Sequence, residues 1–168
     1  MPLNSGHQLG PHTHEAVVAA QRAVLLDDQN FTARWAIAFS LAACGRNDEA
    51  LAAADRALAM SGRNSRILTE VAGIHAVRGD RDGAEAVYRE LRSRARSSYV
   101  GLAEQGAAAA SAGHRDEART LVTQAIAARE PYPVFWKLPA WRAFWQDPDG
   151  AALLRNSVVM RMPDSQPV

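Results

Sequence analysis

Gly45, Gly79 and Gly113 stand thirty-four residues apart, and the chain around each repeats one order of residues. Three residues after each glycine comes an aspartate (Asp48, Asp82, Asp116), and two further on an alanine (Ala50, Ala84, Ala118). A fixed period in this range marks stacked units, each of which buries its apolar face against its neighbours. Within each period the apolar spacing is helical. ARWAIAFSLAAC reads as one helix, a glycine ends it, and DEALAAADRALAM reads as a second. Glycine suits a helix C-terminus because it takes the left-handed conformation without a Cβ penalty. The aspartate is expected in the first turn of the following helix, where its charge suits the dipole and either it or the residue before it caps free N–H groups. The small alanine lets the paired helices approach closely.

The rest of the composition narrows the class of protein. A chain of 168 residues with 48% hydrophobic residues is long enough, and apolar enough, to bury a core. The formal net charge of +1 gives no strong field to draw in nucleic acid or an anionic membrane. The single cysteine, Cys44, excludes an intramolecular disulfide and a Cys-based zinc site. No stretch approaches the ~18 apolar residues of a membrane span. The opening MPLNSGHQLGPHTH lacks the basic and apolar regions of a signal peptide. A cytoplasmic location is expected.

The repeat resembles the tetratricopeptide repeat (TPR), whose pattern runs large–x2–Leu–Gly–x2–Tyr, then Ala–x3–Phe, a small residue and Pro. The first full repeat, Phe31 to Asn64, fills these slots with Arg34, Ile37, Ala38, Leu41, Ala50, Ala54, Ala57 and Gly62. The second, Ser65 to Ser98, supplies Leu68, Val71, Ala72, His75, Ala84, Tyr88, Leu91 and Arg96. The third, Tyr99 to Tyr132, supplies Leu102, Gln105, Gly106, Ala109, Ala118, Val122, Ala125 and Glu130. Arg34, Gln105 and the missing prolines depart from the pattern. The resemblance implies an all-α right-handed superhelical solenoid of helix-turn-helix repeats.

The expected organisation is a flexible tail at 1–12, a lone second helix at 13–30, repeats at 31–64, 65–98 and 99–132, a short-helix cap at 133–160, and a tail at 161–168. HEAVVAAQRAVLLDDQN (His14 to Asn30) matches the second helix of one further repeat. Without its first helix it leaves an apolar face open. Either the chain is cut from something longer, or the tail or a second copy covers that face. Downstream the period fails. Phe135, Trp136, Trp141, Phe144 and Trp145 crowd one stretch, and Pro139 and Pro148 break it into short helices, with Asp147 a natural cap. An aromatic C-terminal cap that seals the last repeat is expected. This stretch is also similar to the ends of repeat arrays in bacterial signalling proteins, where they follow winged-helix, class III nucleotide cyclase or Ser/Thr kinase domains. Arg129, Leu138–Pro139, Phe144, Asp147–Pro148 and Leu153–Leu154 carry that likeness, and Trp145 and Gly150 depart from it.

Nothing in the chain writes a phosphate loop, a nucleophile motif or a metalloprotease signature, so neither an enzyme nor a cofactor or metal site is expected. Asp48–Glu49 and Asp116–Glu117 recur with the repeat and read as helix-start charges. His7, His12 and His14 lack a carboxylate shell. His75 reads as a packed core histidine, His114 as solvated, and Cys44 as a small buried hydrophobe. Arg89, Arg92 and Arg96 read as a solvated stripe, since Glu85 and Glu90 interleave them.

The TPR resemblance places the first helix of each pair on a concave groove. Helical spacing then assigns partner binding to Trp35, Phe39, Arg66, Thr69, Glu70 and Glu104, an apolar wall with two aromatics at one end and two glutamates further along. The slots that grip a C-terminal carboxylate elsewhere in the family here hold Trp35, Phe39, Glu70, Val100 and Glu104, so a carboxylate clamp is excluded. The expected function is a non-catalytic protein–protein interaction scaffold. Its partner is another protein or peptide segment, with neither nucleic acid nor membrane involved. Two further functions stay open, a regulatory arm of a bacterial signalling protein and a homodimerisation module.

Overall fold

The computed structural model describes residues 12–130 and 139–157. Among these residues the chain is all-helical, without strands. The expected tails, His7, Phe135, Trp136 and Leu138 lie outside the described residues, as do the side chains of His12 and His14. Two compact units divide the chain between Ile67 and Leu68.

The first unit holds α1 (His12–Leu26), α2 (Phe31–Ala43), α3 (Asn47–Met60) and the opening turn of α4 (Ser65–Val77). α2 packs on both α1 and α3. Alanine dominates these contacts: Ala38, Ala50, Ala54 and Ala57 are fully buried, and Leu41 and Leu58 fill the space around them. Asn30 starts α2 by accepting the N–H of Ala33 at 2.9 Å. Arg34, a departure from the repeat pattern, donates from its guanidinium to the Asp28 carbonyl at 2.9 Å and so ties down the turn before its own helix.

The second unit holds the rest of α4, then α5 (Arg81–Arg94), α6 (Leu102–Ala112) and α7 (Arg115–Ala127). A 3-10 turn (Pro139–Trp141), α8 (Arg142–Gln146) and α9 (Pro148–Asn156) follow. α6 is the centre: α5, α7, the 3-10 turn and α8 all pack on it. Its run from Ala107 to Ala110 is buried. Gly106 sets the closest approach, since a Cβ there would lie 2.7 Å from Val122 Cγ2 and 3.3 Å from the Ala118 carbonyl oxygen on α7. Trp141 and Phe144, each 1% exposed, meet edge to face with centroids 5.8 Å apart in the core of this unit. Asp147 starts α9 as expected, accepting the Gly150 N–H at 3.2 Å, and Arg119 of α7 donates to the same carboxylate at 2.8 Å. Gly150 is where the C-terminal likeness expects an aromatic. A Cβ there would sit 2.7 Å from the Phe144 carbonyl oxygen, so the α8–α9 turn admits only glycine.

The three periodic glycines do the same local work. Gly45, Gly79 and Gly113 have φ of 76°, 75° and 91°, and in each the next N–H closes onto a carbonyl five residues back. The aspartate that follows is the second residue of its helix, not its cap. The cap position falls two residues earlier, on Arg46, Asp80 and His114, and of these only Asp80 accepts a backbone N–H, that of Gly83 at 2.9 Å. The repeated aspartate therefore acts through its charge at the helix start.

Forcing Gly106→Leu drives a branched side chain into the α6–α7 crossing. Overpacking of this kind costs about 1–3 kcal/mol. A thermal melt of the variant falls below that of the wild type; an unchanged melt contradicts the close crossing.

Candidate functional site

The six residues that the sequence assigns to partner binding divide between the two units. Trp35, Phe39 and Arg66 form a cluster in the first. Thr69, Glu70 and Glu104 lie buried in the second.

In the first unit Trp35 and Phe39, one turn apart on α2, meet edge to face with centroids 5.4 Å apart, and both are half-buried. The Arg66 guanidinium carbon lies 5.9 Å from the Trp35 ring centroid, in cation–π range, and Arg66 itself is exposed. Beside the cluster an open trough of about 530 Å³ runs between α1 and α2. Ala16, Ala19, Ala20 and Ala23 form its α1 wall; Thr32, Ala33, Ala36 and Phe39 form its α2 wall. Four large apolar residues of this unit are also exposed on α1 and at the start of α2: Val18, Leu25, Leu26 and Phe31.

In the second unit the expected acidic wall does not reach the surface. Thr69, Glu70 and Glu104 are 3%, 1% and 6% exposed. The C-terminal 3-10 turn and α8 fold back onto α6, and the Ala140 backbone N–H donates to the Glu70 carboxylate. Glu70 Oε1 has no hydrogen-bond partner among the described residues. Burial penalises the charged form and pushes the carboxyl up to about 8, against the smaller opposing effect of the Ala140 N–H. Glu70 is thus neutral when folded near pH 7, and the groove expected over α4 and α6 is closed by the protein's own C-terminal segment.

Other side chains also depart from expectation. Cys44 is exposed at the end of α2, where a small apolar residue was expected to be buried. His114 is exposed, as expected, and is also paired: its Nε2 lies 2.7 Å from Glu85 Oε2 and its ring centroid 4.7 Å from that of Tyr88. Tyr88 and Arg92 both donate to Glu117, so two members of a short network bind α5 to α7. The arginine stripe of Arg89, Arg92 and Arg96 is exposed, as expected, with Arg89 also on Glu85 at 2.7 Å. His75 is half-buried, its Nδ1 2.8 Å from Asp80 Oδ2. Sequence reasoning missed Glu130. Its carboxylate accepts the N–H groups of Leu102 and Ala103 at 2.9 and 3.0 Å, and so caps α6 from 28 residues away. The signal was the absence of a capping side chain at Gly101. Gln105 likewise answers to its neighbourhood, donating to the Val100 carbonyl at 3.0 Å.

Comparison with protein-family models, curated proteins and solved structures finds no match. No described helix is long and apolar enough to cross a membrane.

The raised Glu70 pKa sets a pH dependence. Its folded value lies above the unfolded one, so its contribution is complete below about pH 4.5 and is lost as pH rises toward about 8. Wild type therefore loses more melting temperature between about pH 5.5 and about pH 8.5 than Glu70→Gln does. Equal losses contradict a buried, unpaired Glu70.

Proposed function

We propose that this chain is a non-catalytic protein-interaction scaffold of the TPR type, and that its binding surface lies in the first unit, on Trp35, Phe39, Arg66 and the neighbouring trough. The observation that carries the reading is the open apolar trough with a half-buried aromatic pair at its edge. Large aromatics and arginine are the side chains that most often anchor protein interfaces, because they desolvate much area while holding a polar or cationic edge. The trough is long, shallow and walled by small residues, which suits a helix laid in a groove better than a compact ligand. A partner anchors here through apolar residues.

The burial of Glu70 and Glu104 changes the partner chemistry that the acidic wall suggested. No exposed carboxylate from either residue is left to select a basic side chain. Arg66, over the Trp35 ring, is the charged group of the cluster itself, and it favours an acidic or aromatic contact.

Trp35→Ala/Phe39→Ala tests the reading. The double variant keeps its helical circular dichroism and loses capture of the protein partner that wild type retains. Equal capture by the folded variant places binding elsewhere.

A further inference from the structure

The trough has the shape of a helix seat left open, and the repeat shows why. Subtracting three periods of thirty-four from Ala118, Leu121, Val122 and Ala125 gives Ala16, Ala19, Ala20 and Ala23. On α7 that face holds α6: Ala118, Val122 and Ala125 are 3% exposed or less, and Gly106 is pressed against Val122 and Leu121. On α3, the helix packed on α2, the corresponding Ala50, Ala54 and Ala57 are fully buried. On α1 the same positions line an open trough. Ala16 and Ala19 are exposed, Ala23 is half-buried, and of the four only Ala20 is closed by α2.

What fills such a seat must be a helix with a narrow face, and α1 carries one. Ala16, Ala19, Ala23 and Leu26 follow the spacing i, i+3, i+7 and i+10 of a two-helix seam, and Leu26 is 89% exposed. Glu15 and Arg22 each precede a seam position, on one edge of it, and are both exposed. Their opposite charges are seven residues apart. Antiparallel overlap of two α1 helices, centred near Ala19, sets Glu15 of each copy opposite Arg22 of the other. The surface is therefore self-complementary in shape and in charge, which a closed two-fold contact requires.

We propose that a second copy of this chain is the occupant: two α1 helices pack antiparallel, each lying in the other's trough between α1 and α2. The proposal rests on the reading of the trough as a protein-binding surface and names its partner. The dimer uses Leu26, which among the described residues stands 89% exposed.

Sedimentation velocity on the full chain across a concentration series reads the assembly directly. Wild type reaches twice 18.2 kDa. Ala19→Glu, at an exposed position that a folded monomer tolerates, sediments as a monomer with unchanged circular dichroism. Glu15→Arg and Arg22→Glu each weaken the dimer, and the double exchange restores it. In a Cys44→Ser background, Ala19→Cys forms an oxidised dimer across the two-fold axis. Wild type that stays monomeric at every soluble concentration overturns the proposal, as does a dimer that Ala19→Glu leaves intact. A monomeric wild type that still captures a partner through Trp35 and Phe39 overturns the dimer alone and leaves the interaction reading standing.

Discussion

Close approach of helices through small side chains is the constraint on which both units depend. In the first unit fully buried alanines let α2 and α3 pack with little between their backbones. In the second Gly106 does the same for α6 and α7, where even a methyl group would collide with Val122. Such contacts have little area per residue but many backbone neighbours, and they tolerate no gain in volume. They explain why alanine recurs on a fixed period at the crossings while the larger apolar residues around them vary.

The second unit adds a constraint that the period does not carry. Its C-terminal segment turns back on α6 and buries Trp141 and Phe144, and the same turn brings the Ala140 N–H onto Glu70. A carboxyl group with one oxygen unpaired in that position costs stability when charged, so the protein carries it protonated. The aromatic seal offsets that cost by removing large apolar surfaces from water. Around this core, polar side chains fasten helices that are distant in sequence. Glu130 caps α6, Arg119 reaches Asp147, and Glu117 gathers Tyr88 and Arg92.

The helical pairs were legible because their signals are local. The glycines fall at left-handed turns, the alanines are buried, and Asp147 caps the helix that Pro148 begins. Helical spacing put Trp35 and Phe39 on one face of α2, where their rings meet, and the repeat pattern set Arg66 beside them, within cation–π range of Trp35. The failures share one cause. Glu70 and Glu104 sit on helix faces expected to be open, both are buried, and an aperiodic segment from later in the chain sets its Ala140 N–H on Glu70. No spacing rule announces that return. Glu130 was hidden in the same way, since its partners lie 28 and 27 residues away. Cys44 was misjudged from its own turn, because exposure at a helix end is decided by neighbours in space.

Amide hydrogen exchange, followed residue by residue, tests most directly the claim that periodic small-residue crossings hold the protein together. The account predicts slow exchange through the buried alanine runs of α3 and α6, fast exchange in the uncapped first turn of α3 at Asn47 and Asp48, and a protected Ala140 amide. Uniform fast exchange through α6, or an Ala140 amide that exchanges freely, would contradict it.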